Sequence, residues 1–289
     1  MTRIRVPRRI EDFNTPWSKR HKNPIEADVN KIDRLDVTRH WQHWQVAMFD
    51  LDDTLCASKT AISPEMAHML RSLLGVVDVC IISGGAFEQF EVQVLKPLGV
   101  FPELRRLHLM PTSGTRYLRW DGTRWNEIYF ERLSESEKER AFKVLRDGAE
   151  EFGFWLEDTW GPALEDRGSQ VTYSALGQKA PVEAKAKWDP DKKKRHLLRE
   201  YAAQRLGDLE VRSGGSTSID VTKAGIDKAY GTKKLMAELA IAETDILFFG
   251  DRLDPGGNDY PVKALGVECI AVEGWKDTIS NVQAIFRLA

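Results

Sequence analysis

The chain has 289 residues, 42% of them hydrophobic and 30% charged, so at about 100–200 residues per domain it can bury a core in one large or two modest domains. Forty-two Lys and Arg against 44 Asp and Glu leave a formal charge of −2, which excludes the global positive field of a dedicated nucleic-acid binder and makes any anion site local. Three widely spaced cysteines, Cys56, Cys80 and Cys269, without a Cys-x-x-Cys pair, exclude a disulfide framework or thiolate zinc site and predict a reducing, cytoplasmic setting. No apolar run approaches the length of a membrane span, and the basic start Met1–Arg9 leads into Glu11, Asp12 and Asn14 rather than an apolar signal core.

Residues 1–40, with ten Lys/Arg and six Asp/Glu, read as an extension that cannot fold alone, which Trp17 would pin to the body. The run from Gln45 to Asp50 predicts a buried strand feeding an acidic loop. Ser63-Pro64 opens a helix that carries Met66, Met69, Leu70, Leu73 and Leu74 at helical spacing and stops at Gly75. A second strand, Val76–Ile82, ends in Ser83-Gly84-Gly85 and is followed by a helix over Phe87–Leu95. Strand, helix, strand, helix predicts a parallel sheet wound with helices.

The middle of the chain has another texture. Thr115–Trp120 and Thr123–Phe130 flank Asp121-Gly122 as a hairpin, and Ser134–Phe152 is a long amphipathic helix. Strands over Ala163–Arg167 and Gln170–Leu176, a helix over Asp189–Leu206 and strands over Asp208–Arg212 and Ser216–Val221 follow, which predicts an α+β insert with an antiparallel sheet. After Gly225 the parallel texture resumes: helix Thr232–Leu239, strand Asp245–Phe249, loop Gly250–Asp259, strand Val267–Val272 and helix Lys276–Leu288. The fold class is therefore α/β, a Rossmann-like core over 41–117 and 224–289 interrupted by a cap over 118–223.

Asp50 and Asp52 stand at the end of the first strand, where i and i+2 point the same way, and carboxyl ends of parallel strands are where such sheets bind ligands. Paired acids attract a hard cation such as Mg²⁺, and a carboxylate is a competent nucleophile toward phosphorus. A second acidic loop, with Asp251, Asn258 and Asp259 among glycines, follows another apolar strand, and the two loops together make a metal site. Between them Ser83 offers a hydroxyl and Gly84 an open amide to a phosphoryl oxygen, while Lys228 would supply the neutralising cation.

These residues, in this order, resemble the four motifs of the haloacid dehalogenase-like phosphotransferases: Asp50-x-Asp52-x-Thr54, Ser83, Lys228 and Gly250-Asp251. The long interval between Ser83 and Lys228 matches the subclass with a large α/β cap. Within it the chain looks most like the eukaryotic-type phosphomannomutases, over Phe248–Asp259, Gly214–Asp220, Gly225–Lys228 and Glu165–Arg167. The resemblance implies Asp50 as nucleophile, Asp52 as acid and base, Ser83 and Lys228 on phosphoryl oxygens, and Mg²⁺ held by Asp50, the Asp52 carbonyl and Asp251, with Asn258 and Asp259 in support. In the cap it implies Arg167, Ser174, Ser218 and Asp220 on a sugar phosphate.

Departures accompany it. Gln178 and Lys59 stand where the mutases carry arginine, a third such position falls on Lys185, and Asp53 replaces the usual glycine. Thinned cap charge makes hydrolysis of a hexose phosphate or similar small metabolite the leading expectation, with interconversion of mannose 6- and 1-phosphates as the alternative and an idle phosphosugar-binding scaffold as a third reading. No nucleic acid or membrane partner is expected, and a homodimer is left open. The Lys192–Arg195 run reads as a solvated helix face, His40 and His43 as surface residues, and Cys56 as a packed thiol.

Overall fold

The computed structural model describes residues 43–288; the expected extension over 1–40, with Trp17 and His40, lies outside the described residues. Strands β1 (Val46–Phe49), β2 (Asp78–Ile82), β3 (Leu107–Met110), β4 (Arg116–Trp120), β5 (Trp125–Phe130), β10 (Ile246–Gly250) and β11 (Glu268–Ala271) form a seven-stranded sheet ordered β11-β10-β1-β2-β3-β4-β5. From β11 to β3 every pairing is parallel. β1 and β10 are buried at every position, as continuous apolar runs in a helix-covered parallel sheet should be. Phe49 and Phe249 stack across the β1–β10 pair with centroids 4.8 Å apart. Helix α1 (Pro64–Leu74) starts as read: the Ser63 side chain accepts from the Met66 amide, and Pro64 takes the first position.

The hairpin departs from expectation. β4 and β5 extend the core sheet antiparallel to β3 instead of opening the cap at 118. The reason is β3, a strand the sequence reading omits, which offers a pairing edge; His108 on it bonds Tyr117 Oη of β4 at 2.7 Å and Asp78 of β2 at 3.2 Å. The second sheet comprises β6 (Leu164–Asp166), β7 (Gln170–Ser174), β8 (Leu209–Ser213) and β9 (Ser218–Lys223) in the order β6-β7-β9-β8, wholly antiparallel. We take this sheet as the cap.

Alternation along β7 and β9 sorts the cap's two faces. Val171, Tyr173, Ile219 and Val221 pack with Ala141, Leu145 and Ala149 of the helix Glu135–Glu151 and with Leu198 and Ala202 of the helix Lys193–Arg205. Gln170, Thr172, Ser174, Ser218 and Asp220 occupy the other face. The Lys192–Arg195 run is not wholly solvated: Arg195 pairs with the buried Asp189 at 2.8 Å and donates to Gly215 O at 2.6 Å.

Candidate active site

β1 pairs with β10 on one side and β2 on the other, so the loops carrying Asp50, Asp251 and Ser83 leave adjacent carboxyl ends. The Asp50 amide donates to Phe249 O at 3.0 Å, carrying the ladder one residue beyond β1. One oxygen from each of Asp50, Asp251 and Asp259 lies within 4.8 Å of the others. Lys228 is the first residue of a helix capped by Asp227; its Nζ meets Asp50 Oδ1 and Asp259 Oδ1, both at 2.5 Å. Asp259 approaches β10 so closely that a Cβ on Gly250 would sit 2.5 Å from its Oδ2, which is why glycine stands there.

Burial raises Asp50 to about 8 against the pull of Lys228, with the Asp259 and Asp251 carboxylates adding to the rise. Burial and Asp259 likewise push Asp251 up. Burial lowers Lys228, but Asp50 and Asp259 outweigh it and hold the ammonium above its ordinary range. Three crowded carboxyls share one ammonium, so full ionisation of the trio calls for further positive charge, and the donors are all oxygen. That is the environment a hard divalent cation suits.

Asp52 does not join this trio. Because β1 ends at Phe49, Asp52 lies in a tight turn, where Asp53 N donates to Cys56 O at 2.7 Å. Its Oδ1 accepts from the Lys59 amide at 2.7 Å and Gln93 Nε2 at 3.1 Å, and its Oδ2 pairs with Lys59 Nζ at 3.1 Å. Burial alone would raise this acid, but the Lys59 ammonium and these hydrogen bonds bring it below its ordinary value. Lys59, expected on substrate, thus neutralises Asp52. Asp53 has φ 63°, which explains the glycine usual in related motifs, and its carboxylate accepts from the Ser58 amide at 3.0 Å. Asn258, in the loop of Asp251 and Asp259, is exposed. Cys56 is buried, its thiol pushed up to about 12 mainly by burial, a packed residue rather than a nucleophile.

Ser83 is buried and its Oγ accepts from the Gly85 amide at 3.1 Å. Arg167 reaches over from the cap, pairs with Glu165 at 2.9 Å and donates to Gly84 O at 3.4 Å. Behind it the polar face of the cap is a chain of hydrogen bonds: Gln170 Nε2 to Thr172 Oγ1 at 2.8 Å, Thr172 Oγ1 to Asp220 Oδ1 at 2.7 Å, and Gln178 Nε2 to Ser174 Oγ at 2.6 Å. Ser218 sits opposite Ser174 in the register. Burial raises Asp220, with Arg167 and the Thr172 hydroxyl opposing. Lys185 donates to Gln178 O at 2.7 Å and is lowered by burial and by the Lys59 ammonium.

Sequence reasoning misses Gln93, Gln170 and Thr172. The latter two carry a signal, the strict alternation of Gln170-Val-Thr-Tyr-Ser174. Gln93 carries little, since it lies in a π turn, Glu91–Leu95, that shifts it relative to a regular helix.

Residues 157–288 match the family model of the eukaryotic phosphomannomutases. The phosphomannomutase of Schizosaccharomyces pombe is 24% identical over 256 residues, covering 84% of this chain and 95% of the relative. That of Encephalitozoon cuniculi is 28% identical over 255 residues, covering 84% and 93%. An N-terminally truncated Plasmodium falciparum IMP-nucleotidase matches with TM-score 0.63 at 14% identity, over 88% of this chain and 73% of that one. A haloacid dehalogenase-like hydrolase from Bacteroides thetaiotaomicron matches with TM-score 0.57 at 15% identity, over 84% and 100%. The chain has the fold of these haloacid dehalogenase-like hydrolases, and its sequence is similar to the eukaryotic phosphomannomutases.

Proposed function

We propose that this enzyme transfers phosphoryl groups through an aspartyl-phosphate on Asp50 and that its reaction is the positional interconversion of a hexose phosphate, mannose 6- and 1-phosphates in the first instance. The observation that carries the reading is the buried cluster of Asp50, Asp251, Asp259 and Lys228 at adjacent strand ends, facing a cap whose inner side is a polar ladder. Asp50 attacks phosphorus while Asp52, as the acid, gives its proton to the leaving oxygen; the acceptor hydroxyl then attacks the aspartyl-phosphate, frees Asp50 and passes its proton to Asp52, which Lys59 holds as the anion between the two steps. Lys228, the Ser83 hydroxyl and the Gly84 amide receive the phosphoryl oxygens as charge develops. Asp50 and Asp251, with Asp259 and the Asp52 carbonyl, would hold Mg²⁺, which when bound offsets the crowded carboxylates and draws charge from the phosphoryl oxygens. Arg167, Ser174, Ser218, Asp220 and Gln178 hold the sugar phosphate.

Relatives matched along most of their length favour mutation over the hydrolysis that the sequence places first. One residue favours hydrolysis as a second reading: Gln178 is uncharged and committed to Ser174, so the non-reacting phosphate has one cation fewer. A phosphorus NMR time course on mannose 1-phosphate with added hexose bisphosphate and Mg²⁺ decides. Positional transfer should outpace release of inorganic phosphate, and Gln178→Arg should raise the transfer-to-release ratio about three- to tenfold, by holding the bisphosphate while it turns. Phosphate release faster than transfer makes the enzyme a hydrolase.

A further inference from the structure

Residues 111–115 link β3 to β4, and none of the motifs above includes them. Thr112, Ser113 and Gly114 have φ of 48°, 56° and 83°. Two non-glycine residues, one β-branched, thus occupy the left-handed region in succession, a conformation that persists only where the surroundings over-determine it.

Those surroundings come from three parts of the site. The amides of Thr112 and Ser113 donate to Gly85 O and Ser83 O, both at 2.9 Å, which fastens the turn to the phosphoryl-binding loop. Gly114 lies against Gly231 in the helix that begins with Lys228, so tightly that a Cβ on Gly114 would sit 2.3 Å from Gly231 Cα. The third contact reaches the cap. Thr112, Thr115 and Ser169, each 2% exposed, close a ring of hydroxyls: Thr112 with Thr115 at 2.6 Å, Thr115 to Ser169 at 2.6 Å and Ser169 to Thr112 at 3.0 Å. Ser169 is two residues beyond Arg167, and its amide donates to Arg167 O at 3.0 Å.

We infer that the 112–115 turn is a positioning element that registers Arg167 of the cap against the Ser83–Gly85 loop, with the Thr112–Thr115–Ser169 hydroxyl ring as its latch. The inference rests on the proposed role of Arg167 in holding the substrate. Hydroxyls are well suited to such a latch, because each can donate and accept. The three therefore satisfy one another in a dry contact without burying charge, and their directionality fixes the approach of the two parts. Because the same turn touches the loop of Ser83 and the helix of Lys228, it references the cap to the groups that meet the phosphoryl oxygens.

The test compares Thr115→Val, Thr115→Ser, Ser169→Ala and Arg167→Ala by the ratio of kcat/KM on mannose 1-phosphate to kcat/KM on 4-nitrophenyl phosphate, alongside Tm. Thr115→Val and Ser169→Ala should each lower that ratio about tenfold, chiefly through KM for the sugar phosphate, as Arg167→Ala does; Thr115→Ser, which keeps the hydroxyl, should stay within about twofold of the parent. Should Thr115→Val fail to fold, Ser169→Ala reads the same ring from the cap side. An unchanged ratio in Ser169→Ala, or equal losses on both substrates that follow Tm, overturns the latch while leaving the function standing if Arg167→Ala remains selective. An Arg167→Ala variant without selectivity overturns the substrate role of Arg167 and the latch together.

Discussion

The two sheets face each other with opposite strategies. At the carboxyl ends of the core strands, charge is concentrated and buried: Asp50 and Asp259 are 3% and 0% exposed, with Lys228 between them. On the cap, the polar face runs along the middles of β7 and β9 and is built mostly of neutral hydroxyls and amides that satisfy one another. Strand ends converge on a point and suit bond making; strand faces spread over an area and suit recognition. On the proposed function, the core carries the chemistry and the cap selects the molecule that receives it.

The sharpest way to break that division is Asp50→Asn. An amide is a poor nucleophile, so turnover on every substrate, sugar phosphate and aryl phosphate alike, should fall by a factor on the order of 10⁴ or more with circular dichroism unchanged. Retained turnover in protein whose substitution is verified by mass spectrometry would remove Asp50 from the mechanism. Lys228→Met comes next: stripping the ammonium from two buried carboxylates should cost about 3–5 kcal/mol in urea titrations without Mg²⁺, and turnover as well. Unaltered stability would mean that the carboxylates do not depend on this lysine. Asp220→Asn probes the cap, where the isosteric amide keeps the shape but removes the charge and turns one acceptor into a donor. It should raise KM for the sugar phosphate about three- to tenfold and alter kcat for an aryl phosphate less. A larger loss on the aryl phosphate would assign Asp220 to the chemistry.

The smallest effect contrasts the site with a buried charge network that serves only the fold. Burial lowers His108 from its ordinary value of 6.5, and the His108 and Arg106 hydrogen bonds hold Asp78 below 3.8 although burial alone would raise it. Both folded forms bind fewer protons than the unfolded chain, so their stabilisation is complete above pH about 6.5 and is lost as pH falls. Tm should decline from pH 7 to 5, and His108→Gln should flatten that decline. An unflattened decline would show that other groups control it.

Much of the core site is legible because its residues lie next to apolar strands in the sequence. Asp50, Ser83 and Asp251 each follow a buried run, so strand assignment alone puts them at one end of one sheet. β3 escapes because it is four residues long, with His108 in its middle and Arg105-Arg106 before it. Without β3, the hairpin has no visible edge to join, and a cap opening at 118 takes it into the wrong sheet. The fate of Asp52 is hidden for another reason: its partners Lys59 and Gln93 are 7 and 41 residues away, and a turn conformation rather than a spacing brings them together. The cap face is half legible, since alternation reveals that a strand has two faces but not which ligand one of them meets.

The π turn over Glu91–Leu95 holds one residue more than a regular helical turn would. Gln93 is 3% exposed there, and its side-chain amide also donates to Thr60 O at 3.0 Å while its backbone carbonyl accepts from Ile62 N at 2.8 Å. The surplus residue is thus a phase setting. Deleting one residue before Gln93 would let the turn close into ordinary α geometry and re-aim the side chains of the turn itself, while the helix on either side keeps its facing. The carboxamide would leave Asp52, and the whole Asp52 loop would lose its inner anchor, although no residue that touches phosphorus had been changed.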